Sequence, residues 1–245
     1  SSTWGCSDHE NVMRQLEALH DLERAYPWFR IAMTPWHARQ IIADGDLAVV
    51  VSMETDKPRS SEGDDYGNWE HQLDRYRAMG LTTLQIVHES DSIFCGAAPH
   101  RDMMELVQAL RWPTRFGFKF DGNRHNLRGL TDEGKRLLDA MKKRNMPIDI
   151  AHGSSRCREQ LMRHVGRGYA LYDSHTKFER LLDGHVLARE QEFLITERLL
   201  PLYREHQVLV GLRTASVDVK EAPGGKVAND CPGSARSFAQ LVQYA

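Results

Sequence analysis

Residues 146–155 read MPIDIAHGSS, and residues 169–175 read YALYDSH. Each contains a short apolar run, and each closes on a histidine, His152 or His175. Short apolar runs bounded by turn-forming residues are the mark of buried strands. Between the two runs, residues 154–165 carry a helical pattern. Strand, helix, strand is the repeating unit of a parallel sheet, because parallel neighbours need a crossover.

The same alternation extends over almost the whole chain. Residues 9–24 place Val12, Leu16, Leu19 and Leu22 at three- and four-residue spacing, the stripe of an amphipathic helix. Residues 34–45 form a second helix, with Thr34 as N-cap, Pro35 at its first position and Gly45 at its exit. DLAVVVSME, 46–54, follows as a continuous apolar run, the pattern of a strand covered on both faces. A helix over 68–80 leads into the strand LTTLQIVH, 81–88. A loop-rich stretch then holds one short helix around 102–111. The helix over 130–145 has Thr131 as N-cap and turns Leu137, Leu138 and Met141 inward. Strand 147–152, helix 154–165, strand 169–175, helix 190–204 and strand 207–212 continue the series, and a last helix starts at about Ser234.

With five strands alternating with helices and no hairpin signal, the fold class is α/β with a parallel sheet, in one domain over 1–245. Two architectures fit, an open doubly wound sheet or part of a closed (β/α)8 barrel of the TIM type. The strand ends separate them. If side chains alternate without interruption, Val50, Ser52 and Glu54 share a face, as do Leu84, Ile86 and His88. Ile148, Ile150 and His152 form the third set, with both isoleucines packing the barrel interior; Leu171, Asp173 and His175 form the fourth. Four consecutive strands thus end in Glu54, His88, His152 and His175. A barrel aims them at one mouth, where barrel enzymes keep their chemistry. An open sheet spreads them over roughly 15 Å. The ring favours the barrel.

A carboxylate and several imidazoles aimed at one point are a ligand set for Zn²⁺ or a similar divalent ion. Such an ion makes bound water a nucleophile near neutral pH and polarises a carbonyl. The competing signals are weaker. His100 and Asp102 form an H-x-D triplet, but in a loop. The GGK at 224–226 lacks the rest of a phosphate-binding loop, and the MKKRN run suits a solvated helix C-terminus. No Gly-x-Ser-x-Gly elbow is present.

Composition narrows the classes. The 245 residues are 41% hydrophobic, enough for a sizeable core. The net charge of −2, from 32 basic and 34 acidic side chains, argues against a dedicated nucleic-acid surface. No apolar run approaches the roughly 20 residues of a membrane-spanning helix and no leader opens the given sequence, so the compartment stays open with a cytoplasmic location favoured. Cys6, Cys95, Cys157 and Cys231 form no CxxC pair, which excludes a thiolate zinc cluster and favours reduced thiols. A homo-oligomer is compatible with all of this.

GLTDEGKRLLDAMKKRNMPIDIAHGSS followed by YALYDSH resembles the renal, or membrane, dipeptidase family of zinc peptidases. Upstream, GDLAVVVSME resembles that family's strand ending in a metal-bridging glutamate, and YRAMGLTTLQIVHESD resembles its Gly-x-Arg-x-x-x-Leu-Thr-His segment. The resemblance runs from about residue 9 to 212. It implies a barrel holding two zinc ions bridged by a glutamate and a hydroxide that attacks the scissile amide of a dipeptide. Glu54 is then the bridging ligand, His152 and His175 ligands of one metal, and His88 the substrate-contacting histidine that stabilises the tetrahedral intermediate. Arg189, with Arg180 as the alternative, matches the arginine that takes the substrate carboxylate. Three features depart from the pattern. ETDKP replaces the Gly-Gly after the glutamate, Asp173 stands at an apolar or small position, and the His-x-Asp and Asp-Phe-Asp/Asn-Gly strands find no counterpart. The chain therefore reads as about five of eight barrel strands, with Asp173 open to a role as acceptor for a ligand histidine. Another amide, ester or lactone hydrolase of the same superfamily, or a non-catalytic binding or assembly module, are the alternatives.

Overall fold

The computed structural model describes residues 8–56, 68–99, 119–121, 125–179 and 192–212. Helix α1 (Asp8–Ala25) leads to β1 (Phe29–Ile31), α2 (Pro35–Ala43), β2 (Leu47–Val49) and β3 (Val51–Glu54). Then α3 (Trp69–Ala78) precedes β4 (Leu81–Gln85), and α4 (Asp132–Lys143) precedes β5 (Ile148–Asp149). Finally α5 (Ser155–Val165) precedes β6 (Leu171–Thr176), and α6 (Leu200–His206) precedes β7 (Leu209–Leu212). All pairings between these strands are parallel, in a two-stranded sheet β1-β2 and a five-stranded sheet β3-β4-β5-β6-β7. The strand order follows the chain without reversal, as in a barrel wall; a doubly wound sheet reverses.

The helices start where the sequence places caps. The Thr34 hydroxyl accepts the His37 N–H (3.0 Å) and the Thr131 hydroxyl accepts the Gly134 N–H (3.0 Å). Asn68 and Ser154 cap α3 and α5 in the same way, each such bond worth about 1 kcal/mol. Leu137, Leu138 and Met141 of α4 are fully buried, each contributing roughly 1.5–3 kcal/mol by leaving water. Arg144, at the C-cap of α4, donates to both carboxylate oxygens of Asp74 on α3 (2.7 and 2.8 Å) and so joins the two helices.

Register divides the sheet into two faces. Met53, Leu84, Ile148 and Leu171 sit side by side across four strands and are buried in one cluster with Leu73, Tyr76, Leu138 and Leu161 of the helices. Glu54, Gln85, Asp149 and Tyr172 sit side by side on the opposite face. The inner layer is therefore polar. Ile148, expected inside the barrel, packs outward against the helices instead.

Other expectations also change. Strand β1 carries too few residues for a periodic signal and escapes sequence reading. The run 46–54 breaks at Val50, so that β2 joins β1 while β3 joins β4. Leu47 and Val50 are 49% and 61% exposed, against the reading of a strand covered on both faces. The helix expected over 190–204 begins at Leu200, because Pro201 suits a first turn and not a helix interior. Ahead of it, Ile195 bridges Phe178 in an extended segment. Cys95 and Cys157, expected as reduced thiols, are joined in a disulfide with Cα atoms 5.8 Å apart. The helices around 102–111 and from Ser234, the His100–Asp102 triplet and the GGK turn lie outside the described residues.

The β6–β7 register shifts between Asp173 and Thr176, and there the Ser174 carbonyl comes so close to Gly211 that a Cβ would collide with it. Gly211→Ala should cost about 1–3 kcal/mol, read as a lowered midpoint in thermal or urea unfolding. An unchanged midpoint would show that the two strands do not approach this closely.

Candidate metal centre

The four polar strand-end residues converge. Around Glu54 Oε1, the Nε2 atoms of His152, His88 and His175 lie at 3.2, 3.4 and 3.7 Å. His152 Nε2 and His175 Nε2 are 2.7 Å apart. The His88 ring stands edge-on to that of His152, with centroids 4.6 Å apart. In a flat sheet, β3 and β6 would be about 14 Å apart, three strand spacings. Side chains of Glu and His cannot bridge that gap, so the sheet curls around the cluster.

Simple alternation does not deliver these side chains. His88 lies past the end of β4, and its N–H donates to Asp56 Oδ1 (2.8 Å). The same Asp56 carboxylate accepts the Ser90 N–H (3.3 Å) and hydroxyl (3.1 Å), which fixes the turn. His152 has φ +59, a left-handed conformation that non-glycine residues seldom adopt. That turn, closed by the Gly153 N–H on the Ile150 carbonyl (3.4 Å), re-aims the imidazole toward the inner face. His175 sits where the β6–β7 register slips, so it departs from the face of Leu171 and Asp173.

Asp173 consequently points to the helices and does not support a ligand histidine. It accepts the Tyr203 hydroxyl at 2.7 Å, with the Arg158 guanidinium 3.7 Å away. Burial pushes its carboxyl up to about 6, against the pull of Arg158. Glu54 shows the opposite balance: its hydrogen bond with His152 holds the carboxyl down at about 2, despite the opposing effect of burial.

Glu54, His152 and His175 each offer one ligand atom, and these atoms lie within 4.8 Å of one another. Ligands about 2.0–2.1 Å from a tetrahedral zinc stand roughly 3.3 Å apart. The Glu54–His152 and Glu54–His175 separations bracket that edge, and the His152–His175 separation of 2.7 Å is somewhat shorter. One carboxylate oxygen and two imidazole nitrogens at this spacing fit a divalent cation of the zinc type in donor kind and in separation.

Three neighbours of the cluster were hidden in the sequence. Gln85 Nε2 donates to Glu54 Oε1 (3.2 Å) and to the Val87 carbonyl (2.7 Å), holding the glutamate. Asp149 occupies the same inner layer. Phe193 stands edge-on to the His152 ring (centroids 4.8 Å) and beside that of His175 (6.0 Å), forming an apolar wall. Its segment is pinned from behind by Arg158, which donates to the carbonyls of Glu192 and Leu194, the latter at 3.0 Å. The register of β3 with β4 places Gln85 beside Glu54, and no sequence signal pointed to Gln85 or Phe193. Arg189 and Arg180 lie outside the described residues.

No family model and no curated protein matches the chain. Solved structures do. A metallo peptidase from Rhodobacter sphaeroides, liganded with a phosphinate mimic of the dipeptide L-Ala-D-Ala, matches with a TM-score of 0.65 and 20% identity, over 93% of this chain and 54% of its own. The metallo peptidase dipeptidase AC matches with a TM-score of 0.66 and 19% identity, over 95% of this chain and 58% of its own. An amidohydrolase from Pseudomonas aeruginosa gives 0.67 and 11%, over 97% and 58%. The chain thus spans between half and two thirds of the length of these structures and shares their fold. The dipeptidase resemblance read in the sequence meets metallo dipeptidases again among the structural neighbours.

Glu192, beside the aromatic wall, accepts the N–H groups of Asn126 (2.6 Å) and Ser155 (2.9 Å). Burial pushes its carboxyl up from the ordinary 4.5 to about 7, against the opposing pull of those two bonds. Between those values the folded chain holds a proton that the unfolded chain has released, so stability falls as pH rises through that window. Glu192→Gln should abolish this part of the pH dependence of thermal unfolding. Parallel profiles for the variant and the parent would contradict the assignment.

Proposed function

We propose that the chain serves a metal-dependent hydrolase that cleaves the amide of a dipeptide, with zinc as the metal and Glu54, His152 and His175 as its ligands. The observation that carries this reading is the convergence of one carboxylate and two imidazoles at the strand ends of a fold shared with metallo dipeptidases. A divalent cation bound there would polarise the amide carbonyl and bring the ionisation of water toward neutral pH.

The chain's own residues supply the rest. Glu54, kept ionised by its imidazole neighbours, brings negative charge to the site. Gln85 fixes its orientation. His152 is buried, and Phe193 closes one side of it against water, which strengthens each electrostatic contact inside. His88 is partly exposed at the rim. There it can donate to the amide oxygen as negative charge builds, the role of an oxyanion donor. In this reading Arg189 would take the substrate carboxylate, and Glu54 would also be the residue that holds a second zinc ion. The likeness to an amidohydrolase supports a broader version, in which the bond cleaved is an amide of another small molecule.

Two substitutions separate the roles. His152→Ala should lose zinc, measured by elemental analysis of the purified protein, and lose hydrolysis of Ala-Ala dipeptides with it. His88→Ala should keep its zinc while turnover falls about 10²–10³-fold. Zinc retained in His152→Ala would overturn the ligand assignment, and zinc lost in His88→Ala would move His88 from the substrate to the metal.

A further inference from the structure

We infer that Asp149 is a positioning residue, whose single carboxylate oxygen ties the turn that presents His152 to the stretch of β6 that presents His175. Asp149 ends β5, the central strand of the five-stranded sheet, and lies on the polar inner face. It is only 2% exposed. Its Oδ1 accepts the N–H of Ala151 at 3.0 Å and the N–H of Ser174 at 3.1 Å. Each donor immediately precedes one of the two histidines.

The first bond holds the chain at the point where it leaves the ladder. The last β5–β6 contact is the Ile150 N–H on the Tyr172 carbonyl (2.8 Å), and two residues later His152 adopts its left-handed conformation. An unheld turn of that kind would relax, because a β-carbon in this region crowds the backbone. The second bond continues into the other imidazole. While Asp149 fixes the Ser174 main chain, the Ser174 hydroxyl lies 2.7 Å from His175 Nδ1. A partner on Nδ1 orients the ring and leaves Nε2 beside Glu54 and His152. Asp149 therefore holds the His152 turn beyond the end of β5 and ties it to β6, next to the point where β6 slips its register against β7.

The role depends on acceptor geometry and not on charge, which makes it separable from that of a ligand. Asp149→Asn keeps an Oδ1 that accepts the same two bonds, whereas Asp149→Ala removes it. The inference rests on the metal reading above, so two measurements are needed. Zn²⁺ affinity, read by competition with a chromophoric chelator, should match the parent in Asp149→Asn and weaken about 10–100-fold in Asp149→Ala. In metal-free protein, amide exchange at Ala151 and Ser174, followed by NMR, should stay slow in Asp149→Asn. It should quicken about tenfold or more in Asp149→Ala, because an unheld turn opens locally. If Asp149→Ala does not fold, the asparagine variant decides alone: folded but unable to bind Zn²⁺, or folded with fast exchange, it overturns the inference. Parental affinity and parental exchange in Asp149→Ala would overturn it as well. Should the parent chain bind no Zn²⁺, the metal reading fails, and the exchange measurement still settles whether Asp149 ties the His152 turn to β6.

Discussion

Two imidazole nitrogens stand 2.7 Å apart beside a carboxylate oxygen, and the surrounding structure has to sustain that crowding. Left to themselves, two like ring nitrogens do not stay in contact unless one donates a proton or both share a cation. Holding them there requires three things at once. The sheet must curl so that β3 and β6 approach across the inner face. Bends past the ends of β4 and β5 must re-aim His88 and His152, and a register slip within β6 must re-aim His175. Hydrogen bonds from side chains must then fix these departures from the regular ladder. Asp56 fixes the first, and Asp149 fixes the other two.

The outer face supplies the stiffness. Met53, Leu84, Ile148 and Leu171 pack against helices whose caps and apolar stripes agree with the same boundaries. Behind β6, the fully buried Arg158 joins Tyr203 to the carbonyls of the Phe193 segment. A wall on the imidazoles is thereby tied to the helix layer. Local propensity, packing and polar pairing point to the same arrangement, the condition under which a strained turn such as that at His152 is tolerated.

Much of this was legible in the sequence, though partly for the wrong reason. Parallel α/β order, the helix caps at Thr34 and Thr131 and the strand-end ring of Glu54, His88, His152 and His175 follow from periodicity and residue type. The faces do not. Uninterrupted alternation puts Ile148 beneath His152 and Asp173 beneath His175, whereas the ladder ends at Asp149 and slips after Asp173. The left-handed turn at His152 and the slip within β6 return both histidines to the inner side. Bulges and left-handed turns at non-glycine residues leave no periodic trace, so Gln85 and Asp149 went unnoticed as inner-face residues. Phe193 was concealed by a helix reading that passed through Pro201. The pairing of Cys95 with Cys157, 62 residues apart, is set by the approach of α5 to the loop after β4, which spacing does not reveal.

The fold is shared with metallo peptidases and an amidohydrolase, and the proposed function rests on the cluster it positions. Diffraction at the zinc absorption edge, from crystals grown with Zn²⁺, tests the cluster most directly. The expected result is an anomalous peak within about 2.0–2.3 Å of a Glu54 oxygen and of the Nε2 atoms of both His152 and His175. Zinc bound elsewhere on the chain, with these three side chains unligated, would contradict it.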